Sequence, residues 1–150
     1  MPDLSRHMTL HIAVCGSRFK WFRDLEVGRR LVYNLLKGLL KMYKAIDDIV
    51  VGHGGNKYSV DAIADEVAKE LNIPVEVFAP KKWTTEELLA RGRALAEWCD
   101  ICIAVFVDAV TPGTRYTAKC TYDLGKQVQL YFVDTERGLV KKLFPDEVLS

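Results

Sequence analysis

Apolar positions along this chain fall into two alternating patterns. Short runs in which nearly every residue is apolar read as buried strands, and longer stretches with apolar residues three and four apart read as amphipathic helices. "LHIAVCG" (10–16) is the first strand and "EVGRRLVYNLLKGLLKMYK" (26–44) the first helix. "DDIVVGHGG" (47–55) is a second strand ending in glycines. It is followed by a helix over "SVDAIADEVAKELN" (59–72), with Ser59 as N-cap and Asn72 as stop. "IPVEVFAP" (73–80) is the third strand, and "TTEELLARGRALAEW" (84–98) is a helix capped by Thr84 or Thr85. "DICIAVFV" (100–107) is the fourth strand, apolar at nearly every position. A helix over "TRYTAKCTYDLG" (114–125) and a fifth strand, "QVQLYFVD" (127–134), come next. The tail, "ERGLVKKLFPDEVLS" (136–150), reads as one more short helix.

Continuous apolar strands alternating with helices indicate a parallel sheet covered on both faces. The pattern predicts an α/β fold, a three-layer Rossmann-like doubly wound sandwich with about five parallel strands and right-handed crossovers. At 150 residues the chain has the length of one domain, with 1–8 expected to be a flexible N-terminal extension. No internal repeat stands out.

Composition narrows the function classes. The chain is 49% hydrophobic and 27% charged, with a net charge of +1, so any basic site has to be local and nucleic acid is not an expected partner. No apolar run approaches the roughly 20 residues needed to span a bilayer, and "MPDLSRHMTL" lacks the plan of a signal peptide; a cytoplasmic protein without membrane contact is expected. Four scattered cysteines do not make a secreted disulfide framework.

In doubly wound sheets, ligands bind beyond the carboxyl ends of the strands. Gly16-Ser17-Arg18 follow the first strand and Gly52-His53-Gly54-Gly55-Asn56 the second. Ala79 to Trp83 follow the third, and Asp108 to Thr114 the fourth. Small residues let backbone N–H groups approach a ligand, and helix starts add their positive dipole ends, so these loops suit phosphate. Arg18, Arg91, Arg93 and Arg115 are candidate anion ligands. Arg91 and Arg93 point about 200° apart on a helix, so at most one of them faces the site. Trp83 and Phe19 are candidates for stacking on a base.

Each candidate also has a structural reading. Gly16 turns the chain, Gly54-Gly55 forms a loop, His53 makes ordinary hydrogen bonds, and Trp98 packs. Neither G-x-G-x-x-G nor G-x-x-x-x-G-K-[ST] occurs. Cys99 and Cys102 form a C-x-x-C at the start of a buried strand, without the second ligand pair a zinc site needs, and read as core cysteines. No metal site and no bound cofactor other than a nucleotide-type ligand is expected.

The motif order resembles the SLOG superfamily, the Rossmann-like group related to the DprA and LOG (lysine-decarboxylase-like) proteins, and within it the YspA-like (DUF2493) type. Gly16-Ser17-Arg18 match that family's G-S-R, and "GGNKYSVDAIADEVAKEL" partly matches its G-G-A-x-G-x-D, with Asp61 at the acidic end and Ala64 and Ala68 at the small helix positions. Trp83 matches the tryptophan after the third strand. Arg91 matches the arginine of an arginine-asparagine pair, with Gly92 replacing the asparagine, and Gly113-Thr114 match a G-T after the fourth strand. Two departures stand out. The second motif carries one extra residue, with Asn56, Lys57 and Tyr58 where a glycine and an alanine belong. Thr117 stands where the LOG-type phosphoribohydrolases carry their catalytic glutamate.

The resemblance implies binding or sensing of a nucleotide or nucleotide-derived ligand. Gly16, Ser17, Arg18, Gly54, Gly55, Asn56, Asp61, Trp83, Arg91, Gly113, Thr114 and Arg115 would form the site. Arg18 and Arg91 would neutralise phosphate, Ser17 and Thr114 would donate hydrogen bonds, and Asp61 would accept from a ribose hydroxyl or cap its helix. Two alternatives remain open: a phosphoribohydrolase using Asp61 or Glu87 as its carboxylate, and DprA-like binding of single-stranded nucleic acid. A homodimer is expected through the apolar "LVYNLLKGLLKMY".

Overall fold

The computed structural model describes residues 9–43 and 48–150. The extension expected over 1–8 lies outside the described residues, as do the ends expected for the first helix at Lys44 and for the second strand at Asp47.

The strands are β1 (Thr9–Gly16), β2 (Asp48–His53), β3 (Val75–Val77), β4 (Ile101–Val107), β5 (Gln127–Asp134) and β6 (Leu139–Leu143). The helices are α1 (Leu25–Met42), α2 (Val60–Glu70), α3 (Thr85–Trp98), α4 (Pro112–Asp123) and α5 (Pro145–Leu149), and a single 3-10 turn spans Phe19–Trp21. They form one six-stranded sheet in the order β3-β2-β1-β4-β5-β6. The first five strands are parallel, as expected, and β6 runs antiparallel to β5. Strand order reverses between β1 and β4, where Val14 pairs with Ile103 and Gly16 with Val105. That is the topological switch point at which such sheets open a crevice.

Alternating side chains on the central strands feed two cores, which is why their sequences are apolar throughout. Ile12, Val14, Ile103 and Val105 face α1 and α2, together with Val32, Leu36 and Ile63. Ala13, Cys15, Cys102 and Ala104 face the opposite layer with Leu95, Ala118 and Leu149. The α1 stripe expected to form a dimer is used within the chain. Val32, Leu36 and Leu40 are fully buried, and Leu31, Tyr33, Leu35 and Leu39 pack against the same core.

Local capping sets the helix starts. Asp24 accepts from the Val27 N–H at 3.0 Å, Ser59 from the Asp61 N–H at 3.1 Å, and Thr84 from the Glu87 N–H at 3.3 Å. Helix α4 starts two residues earlier than expected, with Pro112 in its first turn.

The tail corrects one expectation. Instead of a single helix it makes a hairpin strand, β6, and then the five-residue α5. A tight turn with Gly138 at φ +67° reverses the chain after β5, and the Arg137 N–H donates to Asp134 Oδ1 at 3.1 Å. Strand β6 is an edge strand, exposed at Leu139, Val140, Lys141 and Lys142. Main-chain pairing to β5 holds it, so it carries no apolar alternation for a sequence reading to detect.

Candidate functional site

Three segments leaving the carboxyl edge of the sheet, together with α3, enclose a cleft of about 250 Å³ floored by Cys15 and Gly16. One wall is the segment after β1. Gly16 is there for space: a Cβ would lie 2.5 Å from Val60 Cβ and 2.6 Å from the Val105 carbonyl oxygen. Ser17 is a staple. Its N–H donates to Val105 O at 3.1 Å, its carbonyl accepts from the Val60 N–H at 3.1 Å, and its hydroxyl accepts from the Val107 N–H at 2.9 Å. At 1% exposure Ser17, a candidate hydrogen-bond donor to the ligand, does not line the cleft.

Arg18 comes next, in an isolated antiparallel bridge with Ser59 that the Phe19 N–H extends to Tyr58 O at 2.7 Å. This pairing sets the post-β1 turn against the start of α2. The Arg18 side chain is exposed, lines the cleft, and has no hydrogen bond or ion pair among the described residues. The 3-10 turn then brings Lys20 and Trp21 to the same wall. Phe19 turns away and packs edge-on against Phe22 at 5.3 Å. Of the aromatics in this turn, Trp21 rather than Phe19 lines the cleft, and Lys20, which was not among the candidates, lines it too.

The loop after β2 builds the second wall. His53 is buried; its Nδ1 accepts from the Gly55 N–H at 3.0 Å, so Nε2 carries the proton and donates to Asp65 Oδ1 at 3.0 Å. Gly55, a candidate ligand position, takes the left-handed turn at φ +77° and does not line the cleft. Gly16, Gly54 and Gly113 have no positive φ; close approach, not turn geometry, accounts for Gly16 and Gly54. Over Asn56–Tyr58 the loop forms an Asx turn in which Asn56 Oδ1 accepts from the Tyr58 N–H at 2.8 Å.

Asp61, in the first turn of α2, lines the cleft at 5% exposure and accepts from the Asn56 N–H at 3.2 Å. Burial pushes its carboxyl above the ordinary value, against the opposing pull of the Arg91 guanidinium and the Asn56 N–H.

Helix α3 forms the third wall with Leu88, Leu89, Arg91 and Leu95. Arg91 donates from Nη1 to Gly54 O at 3.1 Å; a Cβ on Gly54 would sit 2.7 Å from this guanidinium. Arg93 points away, bonding the Tyr116 hydroxyl at 2.9 Å. Trp83 does not reach the cleft. It lies 55% exposed on the outer side of Arg91, its ring 5.7 Å from the guanidinium. Gly92 is a packing position, since a Cβ would meet Thr117 Oγ1 at 2.7 Å where α3 crosses α4. Glu87 lies off the cleft.

The fourth wall is the start of α4: Thr111 to Thr114, and Thr117. Thr111 provides no side-chain cap, and Pro112 has no N–H. The first bond back to Thr111 O comes from the Arg115 N–H at 3.0 Å, so the N–H groups of Gly113 and Thr114 stand ahead of the helix ladder beside the cleft. The Thr114 hydroxyl accepts from that of Thr111 at 3.2 Å. Arg115 leaves the site altogether, its Nε donating to Val148 O at 3.1 Å, because the following short helix α5 caps this end of the layer.

The cysteines stay in the core. Cys15 Sγ lies 3.9 Å from Cys102 Sγ, and that contact together with burial holds the Cys15 thiol well above its ordinary value. Burial pushes Cys99 up to about 11. Cys99, the C-cap of α3, lies in the same core layer as Cys102. Among the described residues no group of three or more His, Cys, Asp or Glu side chains could hold a metal ion, and no helix is long and apolar enough to cross a membrane.

Fold and cleft together define a Rossmann-like α/β chain with a ligand-sized crevice at its switch point. No family model and no curated protein sequence matches it. The solved structure of the molybdenum cofactor carrier protein MCP from Chlamydomonas reinhardtii is similar, with a TM-score of 0.62 over 82% of this chain and 76% of that one, at 20% identity. The likeness is one of fold.

Proposed function

We propose that the chain binds a small anionic ligand, a nucleotide or nucleotide-derived molecule, as the SLOG resemblance implies. The observation that carries this reading is the convergence of three cations, Arg18, Lys20 and Arg91, with the uncapped start of α4 on one cleft. Backbone N–H groups at a helix start and guanidinium side chains are the donors that phosphate uses. A cleft of about 250 Å³, open to solvent, has room for a mononucleotide-sized group. That a similarly folded protein carries a molybdenum cofactor adds anionic cofactors to the probes.

Calorimetry against AMP, GMP, ADP-ribose and cyclic nucleotides tests the reading. Saturable binding that Arg18→Ala weakens supports it, and no binding by a folded chain refutes it. A second reading, cleavage of an N-glycosidic bond, draws on the buried carboxyl of Asp61 beside the cleft, whose pKa burial raises. Release of free base from nucleoside monophosphates, abolished by Asp61→Asn, is its test.

A further inference from the structure

The cleft contains one polar group that the protein leaves under-supplied. Asp61 is 95% shielded from solvent by its 5% exposure, yet no cationic side chain lies within 4 Å of its carboxylate among the described residues. Arg91 acts on it electrostatically, while the guanidinium itself bonds Gly54 O. The donor it has is local, the Asn56 N–H at 3.2 Å; the Ser59 hydroxyl beside it donates to Asn56 O at 3.2 Å. An ionised carboxylate offers about four acceptor sites, and a buried one without matching donors is costly. The side left open is the cleft.

Depth orders the rest of the site. Arg18, Lys20 and Gly113 are exposed at the mouth, whereas Asp61, Cys15 and Leu95 are buried inside, together with Ser59, Thr111, Thr114 and Thr117. An anionic group therefore belongs at the mouth and a flat heterocyclic ring inside, with Asp61 facing the ring's polar edge. Two adjacent N–H groups match a carboxylate's two oxygens. Adenine offers a ring-nitrogen acceptor next to its amino group and would set that lone pair against Asp61.

We infer that Asp61 is the specificity determinant of this cleft, selecting a phosphorylated heterocycle with the 2-amino-4-oxopyrimidine edge that guanine and pterins share. The inference rests on the reading of the cleft as an anionic-ligand site and adds the identity of the ring. Asp61 accepts the ring N–H and the 2-amino N–H, while the phosphate meets Arg18 and the start of α4.

The test is calorimetry of the full chain at pH 7.5 with GMP, IMP, AMP and a pterin monophosphate, without added metal. GMP or the pterin binds roughly tenfold or more tighter than AMP, with IMP, which lacks the 2-amino group, in between. The tighter of GMP and the pterin identifies the source of the edge. Asp61→Asn, which swaps an acceptor for a donor, reduces the GMP-over-AMP preference to less than about threefold. Equal affinities for GMP and AMP in the wild type overturn the edge reading alone. So does a uniform loss of all ligands in Asp61→Asn, or a GMP preference that appears only with added magnesium. If none of the four binds the folded wild type, the anionic-ligand reading falls as well. Should Asp61→Asn fail to fold, the wild-type series decides by itself.

Discussion

Two glycines on the cleft make opposite predictions, and the pair separates packing from ligand access. Gly16 has no room for a side chain. An alanine Cβ would lie 2.5 Å from two carbons of Val60 and 2.6 Å from the Val105 carbonyl oxygen. Because the oxygen is β4 backbone and Val60 Cβ is fixed to the backbone of α2, both β4 and α2 have to shift from β1, and overpacking of this kind costs about 1–3 kcal/mol. At about 2–4 °C per kcal/mol for a chain of this size, Gly16→Ala melts roughly 2–12 °C lower. Gly113 is the converse: nothing lies within 4 Å of its added Cβ, and its φ is not positive. There alanine gains helix propensity and loses unfolded-state entropy, a stabilisation of at most ~1 kcal/mol, so Gly113→Ala melts up to about 4 °C higher. Yet its methyl group enters the mouth of the cleft beside an N–H assigned to the anion, so affinity for GMP falls about tenfold or more even as stability rises. Thermal melts and calorimetry on both variants check this. A Gly113→Ala protein that melts higher and binds unchanged would show that no ligand approaches α4 there. A Gly16→Ala protein within ~0.5 kcal/mol of the wild type would remove the packing explanation of the Gly-Ser-Arg turn.

Arg18→Ala leaves stability within ~0.5 kcal/mol, because the side chain is exposed and unbonded among the described residues, but lowers nucleotide affinity about tenfold to a hundredfold. Arg93→Ala, whose guanidinium bonds Tyr116 outside the cleft, serves as the control and binds normally. Asp108 clamps two loops by accepting from the Arg23 N–H at 3.0 Å and the Thr135 N–H at 2.9 Å. Burial opposes its ionisation, but those donors and the Thr135 hydroxyl outweigh it and hold its pKa below 3.8. Its contribution is therefore full above about pH 4 and lost as pH falls through the lowered value. Asp108→Asn tolerates the left-handed backbone at φ +60° but turns a donor toward donors; it costs about 2 kcal/mol at pH 7, a gap that narrows in acid urea titrations. Asp61 has the opposite sign. Burial raises its pKa, so its contribution is full below about pH 3.8 and lost as pH rises through the raised value. Unliganded Asp61→Asn accordingly melts above the wild type at pH 7.5 and converges with it near pH 3.5.

Much of the site was legible as position in the fold rather than as role. The strand–helix alternation located the carboxyl-edge loops, and Arg18, Gly54, Asn56, Asp61, Arg91, Gly113 and Thr114 do meet on one cleft. The 200° separation of Arg91 and Arg93 placed one inward and one outward. Ser17, Gly55, Trp83 and Arg115 went elsewhere because backbone and neighbouring-helix partners claim them, and such partners are distant in sequence. Ser17 bonds Val107, 90 residues on, and Arg115 bonds Val148, 33 residues on. Lys20 and Trp21 were missed because only the pairing of Arg18 with Ser59 rotates the 3-10 turn toward the cleft.

The sequence by itself determined the order of elements, the parallel sheet and the edge where a ligand would sit, since apolar periodicity and capping residues are local signals read over a few positions. The tertiary structure decided which side chains face the cleft, why its glycines are glycines, and that Asp61 is buried with an open side. Those outcomes depend on contacts between segments tens of residues apart, and on the depth of each group beneath the surface, neither of which leaves a periodic trace along the chain.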